Sequence, residues 1–351
     1  MNVTPRFCRA AALIVFFAQA LAAFAAEWKV TKGNHPHLPG QSVSVTQDGK
    51  LVARLVYGEG QHLPYLALYD EAGQLLTNAG MDKEGKAVGI EPHHRGIFIG
   101  WQQIKSDLGT SALWGLGGAG KSKSGESATM LVVELDHVST AKDSATMVAR
   151  IEWRAGTKDA AGENLLLTET RTLKISRPER GVSAQVDTAF RLMPARDLSL
   201  GGDVQHAGIH LRVSHAVVAR ADDTSYLWSP PTASTAGKGY SKTAKGQFGA
   251  IVGQDLQWGE FLFPLHERWY SALQLNSPKN PVEEFSTREY GRFGFFFKRD
   301  LKKGEPLELK YRFLVRETAA PQAAPKRSEP QLREARQQAD AAYAAFLREI
   351  K

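Results

Sequence analysis

Cysteine is almost missing from this chain: its single thiol, Cys8, sits among the first residues, without the small side chains just before it that mark a lipid-modified cysteine. Once a leader containing Cys8 is removed, disulfides, thiolate nucleophiles, Cys-ligated zinc and iron–sulfur clusters are excluded together. Such a chain must be held by its core, which about 325 residues can readily supply. Long apolar runs are equally scarce, and after the leader none approaches the roughly 18 to 20 residues of a spanning helix. No nucleic-acid partner is implied, because clustered Lys and Arg on one face are lacking. The formal charge of +7 falls to +5 without Arg6 and Arg9, and the compact run Lys121-Ser-Lys123 reads as a solvated loop. A phosphate-cradling loop is missing too. Gly115-Leu-Gly-Gly-Ala-Gly-Lys121 lacks the Lys-Ser/Thr ending at the required spacing, and no helical pattern follows it.

What is present begins with a leader. Arg6 and Arg9 precede the apolar run Ala10 to Ala20, and Ala23 and Ala25 supply a small-x-small ending. This predicts a signal peptide over residues 1–25, cleaved before Ala26, and a periplasmic or secreted protein.

Strict alternation over short segments dominates the rest. In Val182-Ser-Ala-Gln-Val-Asp-Thr-Ala-Phe-Arg-Leu192, Val182, Ala184, Val186, Phe190 and Leu192 share one face, and Ser183, Gln185, Asp187 and Arg191 the other. Leu307 to Val315, Met147 to Trp153 and Leu51 to Tyr57 repeat the pattern. Many strands, few helical periods and no βαβ alternation predict an all-β, large antiparallel β-sandwich over residues 26–317. An Ala/Pro-rich linker at 318–329 leads to a C-terminal amphipathic α-helix at 330–351, with Leu332, Ala335, Ala339, Ala342, Phe346 and Ile350 on one stripe and Ser328 with Gln331 as a capping box.

Two histidine clusters carry the chemical interest. The first is Glu91-Pro92-His93-His94-Arg95-Gly96 and the second His206-Ala-Gly-Ile-His210. An imidazole titrates near neutrality, so a pocket holding several can trade protons at physiological pH. On a strand, Ala207, Ile209, Leu211 and Val213 face the core while His206, Gly208, His210 and Arg212 share the other face, with Gly208 leaving space for a ligand. In an extended first cluster His93 and His94 point to opposite sides, and His94, beside Gly96 and Gly100, is the pocket candidate.

The chain resembles the bacterial PmoA-like family, often labelled "methane oxygenase". The matching pieces are Glu-Pro-His-His-Arg-Gly at 91–96, Gly202-Asp203 before the His-x-Gly-Ile-x-Leu-Arg strand, Asn276 to Pro281 with Ser286-Thr-Arg-Glu-Tyr-Gly-Arg-Phe-Gly294, and Leu-Lys-Tyr-Arg-Phe near 311. This resemblance implies a galactose mutarotase-like supersandwich and carbohydrate chemistry in a secreted protein.

The leading expectation is an enzyme acting on a sugar or sugar-derived ring from a concave sheet face, with a carbohydrate or small molecule as its partner. Its acid and base would be His94 and one of His206 or His210, its carboxylate Asp203, Glu267 or Glu289. His93, Arg95, Trp114, Arg212, Arg288 and Tyr290 are the substrate-binding candidates, with Trp101 and Trp269 as further apolar faces. Eliminative cleavage of a uronate polymer, with Tyr290 or a histidine as base, is one alternative. Non-catalytic sugar binding is a second. No cofactor is required, but a divalent metal held by His94, His206, His210 and a carboxylate is a third alternative.

Overall fold

The protein is described here by a computed structural model. It describes residues 26–350 except 60, 62, 82–85, 87, 89–93, 115–120, 123–124, 157–162, 180, 203–205, 230–254, 289, 323 and 325–326, with backbone alone at 121, 122, 125 and 126. The leader at 1–25, His93 of the first histidine cluster and the carboxylates Asp203 and Glu289 lie outside the described residues.

Among the described residues the alternating segments pair into two sheets of 8 and 13 strands. The smaller runs, in spatial order, through Trp28–Asn34, Gln41–Gln47, Lys50–Tyr57, Tyr65–Leu68, Gly96–Trp101, Ala207–Arg212, Arg292–Phe296 and Glu284–Arg288, all antiparallel. The larger is centred on Leu307–Thr318, Val182–Pro194, Leu165–Ser176, Ser144–Ala155 and Gly125–Thr140. One pair in it is parallel, Gly109–Ala112 against Gly125–Thr140. This is the all-β sandwich that the alternation predicts.

Period-two patterning decides what lies between the sheets. Ile97, Ile99, Ile209, Leu211, Phe293 and Phe295 are buried on the inner face of the smaller sheet and meet the larger one through contacts such as Phe295 on Tyr311, 6.4 Å between centroids, and Trp101 near Trp153 at 5.9 Å. A polar pair interrupts this layer. Glu169 and Arg171, two strand positions apart and so on one face, pair at 2.5 Å, and Glu169 also accepts from Trp153 Nε1 at 2.7 Å. Both charges are buried, a cost tolerated only because each is paired and hydrogen-bonded.

The helix Glu329–Glu349 begins at Ser328, whose side chain and that of Gln331 form the predicted capping box. It covers the outer side of the larger sheet, burying Ala339, Tyr343 and Phe346 against Val182, Leu227, Trp258, Leu273, Leu275 and Leu314. Asp340 accepts from Trp258 Nε1 at 2.9 Å, and Arg312 bridges Asp187 and Glu349. The site described below is on the other sheet. Among the described residues no helix is long and apolar enough to cross a membrane.

Phe346 is 1 % exposed, so Phe346→Ala should cost about 3 kcal/mol through lost burial and the cavity left behind. Urea unfolding checks this; a loss below about 1 kcal/mol would mean that the helix contributes little to the folded sandwich.

Candidate functional site

Directly paired residues of neighbouring strands project to the same side of a sheet, so the register of four strands writes out the face turned away from the core. One row is Gly96, Arg212, Arg292, Arg288, and the next is Phe98, His210, Gly294, Ser286. Every side chain in these two rows is nearly or wholly buried, with Arg212, Arg292, His210 and Ser286 at 0 % exposure and Arg288 at 9 %.

The two histidine clusters converge on this face. His94 lies 5.9 Å from Phe98, 5.3 Å from Trp114 and 6.3 Å from His206, centroid to centroid. Trp114 also meets His206 edge-on at 5.9 Å and His210 at 4.9 Å. His94 and Trp114 are each 1 % exposed, while His206 is half-buried. Two glycines make this packing feasible. A Cβ on Gly100 would lie 2.6 Å from Trp114 Nε1, and one on Gly294 would lie 2.1 Å from the Ile209 carbonyl and 2.8 Å from His210 Cγ. Asn78 ties the pieces together by donating to the His94 carbonyl at 2.6 Å, while its own N–H donates to the Arg212 carbonyl and its carbonyl accepts from Gly96.

His210 is chemically fixed. Its Nε2 contacts the Ala207 carbonyl at 2.6 Å, and a carbonyl only accepts, so Nε2 carries the proton and Nδ1 accepts from Arg292 Nη1 at 3.0 Å. Arg292 Nη1 also donates to Ser286 Oγ at 3.1 Å. Burial, and secondarily the Arg292 charge, hold the imidazole well below its ordinary value near 6.5. His210 is therefore a neutral positioning group. This corrects its expected role as proton donor, and with both nitrogens engaged it is no metal ligand either. Among the described residues no group of three His, Cys, Asp or Glu is arranged to hold a metal.

Other expectations sort as follows. Arg212 donates to the Val213 and Tyr290 carbonyls and lies 4.8 Å from the Tyr290 ring centroid, so both stand at the site. Arg288 stands at the end of the arginine row. Arg95 is hydrogen-bonded to Gln61 and lies over Tyr65 instead. Trp101 is core, donating to the Phe297 carbonyl. Trp269 and the exposed turn residue Glu267 belong to the larger sheet, with Arg220 over the Trp269 ring. Gly208 does not leave room for a ligand: its φ is +83°, and a Cβ there would meet the Phe295 carbonyl at 2.1 Å, so the neighbouring strand requires the glycine. Asn78, Phe98, Ser286, Arg292 and Gly294 were not anticipated. Alternation in Ser286-Thr-Arg, continued past a glycine turn into Arg292-Phe-Gly, is the signal that places Ser286, Arg288, Arg292 and Gly294 on one face.

An open groove of about 700 Å³ borders the site. Its walls include Lys105, Ser199, Lys298 and Arg299, and it ends at Gln102 and Gly202, where the Gln102 N–H donates to the His206 carbonyl at 2.7 Å.

The depressed His210 imidazole has a consequence for stability. The unfolded chain takes up this proton below about pH 6.5 while the folded chain does not, so stability is full above that value and falls as pH drops, by about 1.4 kcal/mol per pH unit for this group. Urea unfolding of wild type and His210→Gln between about pH 7.5 and 5 should show a shallower acid slope in the variant. Parallel slopes would contradict a neutral, buried His210.

Solved structures similar to this chain include a galactose mutarotase-like protein from Clostridium acetobutylicum, at 8% identity over 83% of this chain and 99% of that one with a TM-score of 0.37. A galactose mutarotase-like protein from Lactobacillus casei matches at 10% identity over 82% and 100% with a TM-score of 0.36. The heparan sulfate lyase HepC from Pedobacter heparinus matches at 8% over 86% of this chain but 38% of its own length, with a TM-score of 0.35. At these scores the likenesses carry no argument about activity. No curated relative matches. The resemblance to the PmoA-like family is corrected by the family comparison, in which the match is to a different description. Residues 42–327 match the family of unknown function DUF6807, and the chain belongs to it.

Proposed function

We propose that this is an exported protein that acts on a carbohydrate or sugar-derived ring by acid–base chemistry at the outer face of the smaller sheet. The observation that carries the reading is the meeting of His94 and His206, 112 positions apart in sequence, at 6.3 Å beside the ring of Trp114. Two imidazoles brought this close can act on one reacting group, one side giving and the other taking a proton. Trp114 and Phe98, both buried, back the imidazoles with apolar packing, and His206 and Tyr290, both half-buried, stand where a ligand would enter. The groove beside His206 gives a longer saccharide a path along the surface. His210, locked by Ala207 and Arg292, holds the floor of the site.

His94→Ala and His206→Ala should each lower kcat on the responsive saccharide by about a hundredfold or more, the usual contribution of a positioned acid or base, with the thermal midpoint retained. Product analysis after incubation with neutral and acidic oligosaccharides is the measurement. Saccharide binding without turnover, unaffected by both substitutions, would leave a binding protein and overturn the acid–base reading.

A further inference from the structure

We infer that the ligand carries a carboxylate and that Arg292 receives it, which makes the substrate class an acidic, uronate-type saccharide. This rests on the sugar-site reading above and narrows it.

Arg292 is wholly buried, and its guanidinium is satisfied on one nitrogen alone. Nη1 donates to His210 Nδ1 and Ser286 Oγ, whereas Nε and Nη2 have no hydrogen-bond partner among the described residues. Those two nitrogens form one edge of the planar guanidinium, the edge whose parallel N–H groups match the two oxygens of a carboxylate. No ion pair to Arg292 is formed among the described residues. A charge buried in this way is costly unless something pairs with it.

The neighbours raise that cost. Arg212 and Arg288 are directly opposite Arg292 on the strands to either side, and like charges in such positions repel. Arg212 and Arg288 make further interactions of their own, so it is the Nε and Nη2 edge of Arg292 that calls for a negative charge. Among the described residues, Lys105, Lys298 and Arg299 along the adjoining groove carry the same sign, and Asp300 carries the opposite one. His210 offers Arg292 an uncharged acceptor, which orients the guanidinium without neutralising it and leaves its charge for the ligand.

Isothermal titration at fixed salt with matched oligosaccharides tests this: galacturonate and glucuronate oligomers against the same oligomers after reduction of each carboxylate to a primary alcohol. Wild type should bind an acidic form at least tenfold more tightly than its reduced partner, the discrimination expected from one charge-assisted bidentate contact. Arg292→Gln and Arg292→Lys should both bring the acidic form down to the affinity of the reduced one, since lysine keeps the charge but lacks the fork. The ligand-free thermal midpoints of both variants should equal or exceed that of wild type, because an uncompensated buried cation is removed or made more mobile. A purely structural arginine would instead lower the midpoint and leave the acidic-to-reduced ratio intact. Equal binding of acidic and reduced forms by wild type overturns this inference while the sugar reading stands. Binding of neither form overturns both.

Discussion

Burying Arg292 is the constraint on which the site depends. A guanidinium at zero exposure is costly wherever its donors lack acceptors, and the smaller sheet supplies two acceptors for Nη1, a neutral imidazole and a hydroxyl, at positions fixed by strand register. Once His210 accepts from Arg292, its other nitrogen must donate, and the Ala207 carbonyl is there to receive it. That locks the imidazole over Gly294, where no larger residue fits. Trp114 can then close against His210 and Gly100, and it brings His94 and His206 to its other contacts. A chain of contacts thus runs from one buried charge to the pair of imidazoles that could exchange protons.

The two faces of the smaller sheet divide the labour. Its inner face is an ordinary aliphatic and aromatic layer against the larger sheet, and this packing provides the rigidity. Its outer face would be solvated in a simple sandwich. Here it is covered instead, and the two rows carry Arg, His, Ser, Phe and Gly. The C-terminal helix takes no part, since it seals the outer side of the larger sheet. The helix packing and the candidate site are therefore placed on different elements, and substitutions on the helix and at the arginine row should act independently.

Much of this was legible in the sequence, and the losses have identifiable causes. The strands showed because half-buried strands alternate, and Ser328 with Gln331 marked the helix start because a capping box is local. The sides of His94, His210 and Arg212 followed from period two. Arg292 was missed because its significance comes from a distant strand: the local hairpin places Arg288 beside it, but nothing within Tyr-Gly-Arg-Phe reveals that Arg212 and His210 will be its neighbours on the other side. Gly208 was misread for a related reason, since a strand glycine that admits a ligand and one that admits a neighbouring carbonyl look alike in one dimension. His210 was expected to react because a histidine between alternating apolar residues shows its accessibility to neither protons nor partners. Arg95 stood next to His94 in the motif, yet its side chain goes to Gln61 and Tyr65, because adjacent residues of an extended chain diverge.

The central claim is that the histidine cluster and the arginine row form one ligand site. A crystal structure of the protein soaked with a uronate oligosaccharide tests it most directly. The account predicts a sugar ring beside His206 and Tyr290, with its carboxylate within hydrogen-bonding distance of Arg292 Nε and Nη2. A well-ordered saccharide bound elsewhere, with Arg292 still unpaired beside an empty histidine cluster, would contradict it.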